Sequence, residues 1–170
     1  MLPHRFLGND GVFNSIKFKK MKRNENIVEL SRDHHFGLLC SWKIRQGLKK
    51  NIDAERIKKY IDYFWNYHLK EHFREEEEIL FPYLKDEMSK RIAQEHLEIK
   101  NWVQKIVNEN EVSHFENLAE VLEKHIRFEE REWFPHLEKN LNENQLSEIG
   151  KALQEIHSQE KDDYQDEFWK

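Results

Sequence analysis

A single cysteine, Cys40, occurs in the whole chain, so an internal disulfide framework is excluded. With no secretory-type hydrophobic segment and no long apolar run, that scarcity points to a cytoplasmic, reducing setting and argues against a membrane span. Three prolines and five glycines leave little material for tight turns or sheet corners. A net charge of -5 supplies no general electrostatic reason to bind nucleic acid or an anionic membrane surface, and neither is expected as a partner. What the chain has instead is charge of both signs, 36% of residues, beside 38% apolar residues. That is the balance of long amphipathic helices with Lys- and Glu-rich outer faces. The fold class read from it is all-α, with 170 residues enough for one real core. Ten histidines are out of keeping with the rest.

The stretch from His72 to Pro82 recurs, without a gap, from His125 to Pro135. The copies agree at His72/His125, Arg74/Arg127, Glu76/Glu129, Glu77/Glu130, Phe81/Phe134, Pro82/Pro135 and, just beyond, Leu84/Leu137. Residues four apart share one face of a helix. Each copy therefore offers an imidazole and a carboxylate side by side, His72 with Glu76 and His125 with Glu129.

Residues 1 to 25 read as a weakly patterned lead-in with a basic cluster at Lys17, Lys19, Lys20, Lys22 and Arg23, a mobile or loosely docked terminus in which Met21 is a candidate natural start. A first helix is expected from about Asn26 to Lys50, with Ile27, Leu30, Leu38, Leu39, Trp42, Ile44 and Leu48 as its apolar surface and Asn51 to Asp53 as a turn. Asp53 suits the N-cap of a second helix running to about Lys85, whose stripe Ile57, Ile61, Phe64, His68, His72, Glu76, Ile79, Tyr83 steps by three or four throughout. Ser89 is the expected cap of a third helix, where His96 is the polar member of the stripe Ile92, His96, Ile99, Val103, Ile106. Ser113 with Glu116 predicts a capping box for a fourth helix, which turns Phe115, Leu118, Leu122, His125, Glu129, Trp133 and Leu137 inward and ends near Asn140. Asn142 with Gln145 predicts another cap, for a fifth helix with the narrow stripe Leu146, Ile149, Leu153, Ile156 and an acidic, polar tail after it.

Short turns between helices of similar length favour antiparallel neighbours, so residues 26–140 are expected to form an up-down-up-down four-helix bundle, with residues 141–170 as an additional C-terminal helix and tail. Every helix of that bundle then sends histidine or carboxylate inward at one level. Unpaired buried polar groups cost about 1–3 kcal/mol each and buried charges more, a cost that a metal ion removes. Imidazole with bridging carboxylate is a ligand set for non-heme iron, or for manganese or zinc as substitutes, and the doubled His-x-x-x-Glu argues for two ions sharing two carboxylates.

Asp33-His34, His72-x-x-x-Glu76-Glu77 with Leu80-Phe81-Pro82, Glu95-His96, and His125-x-x-x-Glu129-Glu130 with Phe134-Pro135 together resemble the hemerythrin-like, or HHE cation-binding, domain family over about Asn26 to Asn140. The resemblance implies a four-helix bundle around a di-iron centre. His72 and His125 would be terminal ligands, Glu76 and Glu129 the carboxylates bridging the irons, and His34 and His96 the ligands from the first and third helices. Oxygen-carrying hemerythrins have a further histidine four residues after the third-helix ligand, and here Lys100 stands there. The vacancy this implies favours sensing or redox chemistry with O2, NO or peroxide over storage-type carriage. The hemerythrin-like domains of iron-sulfur cluster repair proteins resemble the four-histidine pattern, although those proteins usually carry a cysteine-bearing N-terminal domain and residues 1–25 here hold no cysteine.

His34 and His35 are about 100° apart around a helix, so one of them faces inward. His34 is preferred because Asp33-His34 matches Glu95-His96, and His35 is the alternative. His68, one turn before His72, is expected to hold a water or an outer carboxylate rather than an ion. Glu75, Glu77, Glu78, Glu130 and Glu132 read as solvated or outer-sphere groups, and His4, His114, His136 and His157 as surface. Cys40 reads as a small buried hydrophobe. The functional expectation is a di-iron protein binding oxygen, nitric oxide or related small molecules for sensing, stress response or iron handling. A di-iron redox enzyme and a metal-free helical interaction module are the alternatives, and no protein partner is indicated.

Overall fold

The computed structural model describes residues 22–109, 111–159 and 161–170, and among them every regular element is helical. Five rods account for the helices among the described residues. The first is α1 (Val28–Lys49). The second joins α2 (Ala54–Phe64), a π turn at Trp65–Leu69, α3 (Lys70–Glu75) and a second π turn at Glu76–Leu80, and closes in a 3-10 turn at Phe81–Tyr83. The third is α4 (Glu87–Asn108). The fourth joins α5 (Ser113–Phe128), a π turn at Glu129–Trp133 and α6 (Phe134–Asn140), and the fifth is α7 (Glu143–Ile156). No helix among the described residues is long and apolar enough to cross a membrane. His4, Met21 and the basic residues Lys17, Lys19 and Lys20 lie outside the described residues.

Local chemistry explains where the rods stop. After α1, Asn51 takes a left-handed φ of 52° while the amide of Ile52 donates to the Gly47 carbonyl, which satisfies the helix end. Asp53 caps α2 by accepting from the Glu55 amide. Two expected caps differ. Asp86, not Ser89, caps α4, because the Ser89 hydroxyl is engaged in donating to the Leu84 carbonyl while its amide donates to Asp86. The Ser113–Glu116 box does not form; Ser113 donates to Glu111 instead, and the residue at the cap is Val112. At α7 the Asn142–Gln145 box is complete in both directions.

Two π turns interrupt the second rod and one the fourth, yet the stripe Ile57, Ile61, Phe64, His68, His72, Glu76 and Ile79 stays buried. Two of these turns begin at Glu76 and at Glu129, the equivalent residues of the repeat. In each, the amide of the phenylalanine before proline donates five residues back, Phe81 to Glu76 and Phe134 to Glu129. Pro82 and Pro135 have no N–H to give and a ring that crowds the carbonyl four residues back, so a widened turn ahead of them relieves the clash.

Two apolar clusters form the core, and the inward polar residues lie in a layer between them. On one side Cys40, Ile44, Ile57, Ile61, Ile99 and Leu122 are buried together. On the other, Ile27, Leu30, Ile92, Trp133 and Leu137 meet Leu146, Ile149 and Leu153 of α7, so the fifth rod completes the core. Trp42, expected to be apolar core surface, is 47% exposed, and Ile156 leaves the stripe of α7. Phe168 and Trp169, from a tail that reads as polar, are buried, and Lys43 is buried beside them with its ammonium over the Trp169 ring.

Candidate metal centre

Four imidazoles and two carboxylates converge in the polar layer, each brought by a different turn of the rods. His34 comes from α1, His72 from α3, His96 from α4 and His125 from α5, while Glu76 and Glu129 open the two π turns. Neither carboxylate has any exposed surface, and the four histidines are all buried.

Their donor atoms sort into two groups of four that share both carboxylates: His34, His72, Glu76, Glu129, and Glu76, His96, His125, Glu129. Glu76 turns Oε1 to His72 Nε2 at 3.0 Å and Oε2 to His96 Nε2 at 3.1 Å. Glu129 turns Oε2 to His34 Nε2 at 2.9 Å and Oε1 to His125 Nε2 at 3.1 Å. Each carboxylate thus offers one oxygen to each group, which is the disposition of a bridging ligand. His34 Nε2 and His72 Nε2 face each other at 3.1 Å.

Whether these residues fit a metal can be judged from what they leave unsatisfied. All four oxygens of Glu76 and Glu129, with Nε2 of His96 and of His125, are buried without a hydrogen-bond partner. Buried carboxylate oxygens in that condition are expensive, and well-aligned imidazole donors would have satisfied them. Spacings near 3 Å in poor hydrogen-bond geometry suit a different arrangement: two ligands bound about 2.1 Å from one ion at a right angle lie about 3 Å apart. The donor set fits two cations.

On its outer side, each of these four histidines is held at Nδ1 by a carboxylate from another rod. Glu130 holds His34 at 2.6 Å, Asp33 holds His72 at 3.2 Å, Glu77 holds His96 at 2.8 Å and Glu95 holds His125 at 2.8 Å. The pattern is two-fold: the first rod serves the second as the third serves the fourth, and the fourth serves the first as the second serves the third. Nδ1–H donated to a carboxylate fixes the tautomer with Nε2 free to face inward and makes that nitrogen more basic. Glu130 is itself held by Ser31 and by the guanidinium of Arg23, which also reaches Glu138, so the lead-in is docked at Arg23.

Without ions the layer stores protons. Burial opposes the charged form of His72, but Glu76 and Asp33 outweigh it and raise its pKa to about 10. His34, His96 and His125 are raised in the same way, against burial, by the carboxylates facing them. Burial would raise Glu76 and Glu129, yet the surrounding imidazoles hold both low.

The structure brings His34, His72, Glu76, His96, His125 and Glu129 together and leaves His35 exposed. His68 is not in either group; its ring stacks on Phe64 at 4.8 Å and on Phe36. Lys100 is exposed. Glu78 and Glu132 are solvated, as read, whereas Glu75 is 1% exposed. His157, read as surface, has a side chain only 7% exposed and pairs with Glu75; His136 is paired with Asp86, and His114 is only partly exposed. The holding roles of Asp33 and Glu95 escaped the sequence reading, although an acidic residue directly before both His34 and His96 was the available signal. His157 continues the α7 stripe four residues after Leu153, in place of Ile156.

Beside this layer a small cavity of about 10 Å³ is lined by His34, Gly37, Phe64, His72, Ile126 and Glu129, among others. Gly37 lets Ile126 pack close against α1, because a Cβ there would stand 2.4 Å from Ile126 Cδ1. Comparison with models of protein families matches residues 26–137, well over half of the chain, to the hemerythrin HHE cation binding domain. Searches of curated proteins and of solved structures give no match.

Proposed function

The chain belongs to the hemerythrin HHE cation-binding domain family, and from that premise we propose that it is a non-heme di-iron protein that binds O2, NO or a related small molecule. The functional unit is residues 26–140, rods of alternating direction, completed by the C-terminal helix and tail of residues 141–170. His34 and His72 would hold one ion and His96 and His125 the other, with Glu76 and Glu129 offering an oxygen to each. The observation that carries this reading is the division of each carboxylate's two oxygens between the two groups, with no hydrogen-bond partner for any of the four. Manganese or zinc would suit the same donors if iron were withheld. When bound, the iron pair supplies reversible ligand binding or one-electron redox chemistry.

The chain's own residues do the rest. Asp33, Glu77, Glu95 and Glu130 keep each imidazole aimed inward, and the two apolar clusters keep bulk water out. The cavity beside Gly37 has room for something the size of a water or a diatomic molecule, which supports a small ligand over an organic substrate. A cytoplasmic setting belongs to the same reading and rests on the lone, buried Cys40. Lys100, pointing to solvent, adds no ligand, so coordination positions remain for exchange; this favours as second reading a redox enzyme acting on peroxide or nitric oxide, of the iron-sulfur cluster repair type.

Anaerobic loading with ferrous iron tests the assignment. The wild-type protein should take up close to two irons per chain, and the Glu76→Ala plus Glu129→Ala double variant should lose most of that capacity. Retained stoichiometry in a folded double variant would remove the bridging role. Visible spectra on adding O2, and separately NO, then distinguish the readings: a reversible change supports a sensor or carrier, and sustained consumption of either gas supports an enzyme.

A further inference from the structure

One buried cluster of titratable groups lies beside the paired centre and shares only Asp33 with it. Glu75, 1% exposed, and Asp33, 7% exposed, come from α3 and α1, and His157 from the end of α7 closes over them. Their ligand-type atoms lie close enough to surround one ion. Glu75 accepts from His157 Nδ1 at 2.7 Å. Nε2 of His157, in a side chain 7% exposed, has no hydrogen-bond partner and stands 3.5 Å from Asp33 Oδ1. The other oxygen of Asp33 holds His72.

His157 also lines a surface pocket of about 290 Å³, together with Glu25, Asn26, Glu29, Gln154 and Gln159. Carboxylates and amides face this pocket, and no lysine or arginine is among its lining residues. A concave, acidic surface of that kind concentrates cations, and His157 lines it while its Nε2 faces Asp33.

We propose that Asp33, Glu75 and His157 form a third divalent-cation site beside the acidic pocket that His157 lines, through which iron passes to the paired centre. The proposal rests on the two-iron reading above. One imidazole with two carboxylates suits Fe2+, Mn2+ or Zn2+ and is too poor in oxygen ligands for a Ca2+ cage. Asp33 is shared: Oδ1 faces the third site while Oδ2 keeps His72, a ligand of the pair, in position. An ion at the third site is therefore one carboxylate away from its destination. With one imidazole against two for each ion of the pair, the third site binds more weakly, and the ion moves inward down the gradient of affinity.

Metal-free wild-type protein, His157→Asn and Glu75→Gln are loaded anaerobically with ferrous iron, followed by stopped flow for the rate, metal analysis after desalting for the tightly held count, and calorimetry for weaker equivalents. Wild type should hold two irons tightly and show a third, weaker equivalent. Both variants should keep the tight count, lose the third equivalent and load about tenfold more slowly, the lower end of what focused charge adds to an on-rate. Unchanged loading rates, or a third equivalent that survives in the variants, overturn the route while leaving the pair intact. Fewer than two tight irons in wild type overturns the two-iron reading and the route together. Circular dichroism checks that each variant is folded; if Glu75→Gln is not, His157→Asn, at the exposed end of α7, decides the matter alone.

Discussion

Each imidazole of the layer sits between two carboxylates, and that placement makes protons and cations compete for the same nitrogens. In the metal-free protein His72 titrates at about 10, against about 6.5 for an unfolded histidine. A folded-state pKa raised above the unfolded one contributes stability that is full below the unfolded value and is lost as pH rises through the folded one. Glu76 and Glu129 are held low, so their contribution is present above the unfolded carboxylate value and is lost as acid protonates them. The metal-free protein should therefore melt highest between about pH 4.5 and 6.5 and progressively lower toward pH 10. A melting temperature that climbs over that alkaline range would contradict the ion-paired layer. The carboxylates that hold Nδ1 act on the same nitrogens from outside. Removing the charge of one of them in Glu95→Gln should weaken cation binding about 10–100-fold while leaving the count at saturation unchanged; competition titration against a chelator of known affinity would show it, and an unaltered affinity would reduce Glu95 to a surface group.

At the scale of elements, the inward stripes were legible, but the backbone geometry that carries them was not. His96 among Ile92, Ile99 and Val103 is where the 3.6-residue repeat puts it. The π turns at Glu76 and Glu129 were not legible, because a widened turn has no residue pattern of its own; only the prolines six residues on, Pro82 and Pro135, hint at it. Capping separates two pairs of residues with the same sequence signature. Asn142 with Gln145 forms its box, whereas Ser113 is engaged by Glu111, two residues before it, in an interaction that competes with the cap. Asn142→Ala should accordingly lower stability by about 1 kcal/mol, and Ser113→Ala by only a few tenths, well below a normal cap loss. Equal losses in urea unfolding would show that the box at Ser113 forms after all. His157 and Glu75 were misread for a related reason: their burial depends on α7 folding back across α3, and no local pattern specifies that contact.

For the whole molecule, the layer divides the core, with an apolar cluster on either side of it and the buried His34, His72, Glu76, His96, His125 and Glu129 across the middle. The tail stabilises one side of this division. Phe168 and Trp169 close the cluster that includes Tyr60, and Lys43 reaches Asp162 at 2.5 Å with its charge over the Trp169 ring. A sequence reading based on stripes misses this anchoring, since the tail has no helical period and two aromatics among acids look solvated. The other side is closed by α7. What remains is the middle, where oxygens of Glu76 and Glu129 lack partners and repel one another. Cations bound there act on the folded state alone, because the six donors come from four rods and are dispersed in the unfolded chain. One site filled at a thousand times its dissociation constant contributes about 4 kcal/mol by mass action. At about 2–4 °C per kcal/mol for a chain of this size, stripping the metal should lower the melting temperature by about 10 °C or more. Calorimetric scans of chelator-treated and reloaded protein at pH 7.5 measure this directly. Coincident scans, with metal analysis confirming that one sample is loaded, would mean that the ions bind at the periphery and that the orphaned oxygens of the layer are satisfied in some other way.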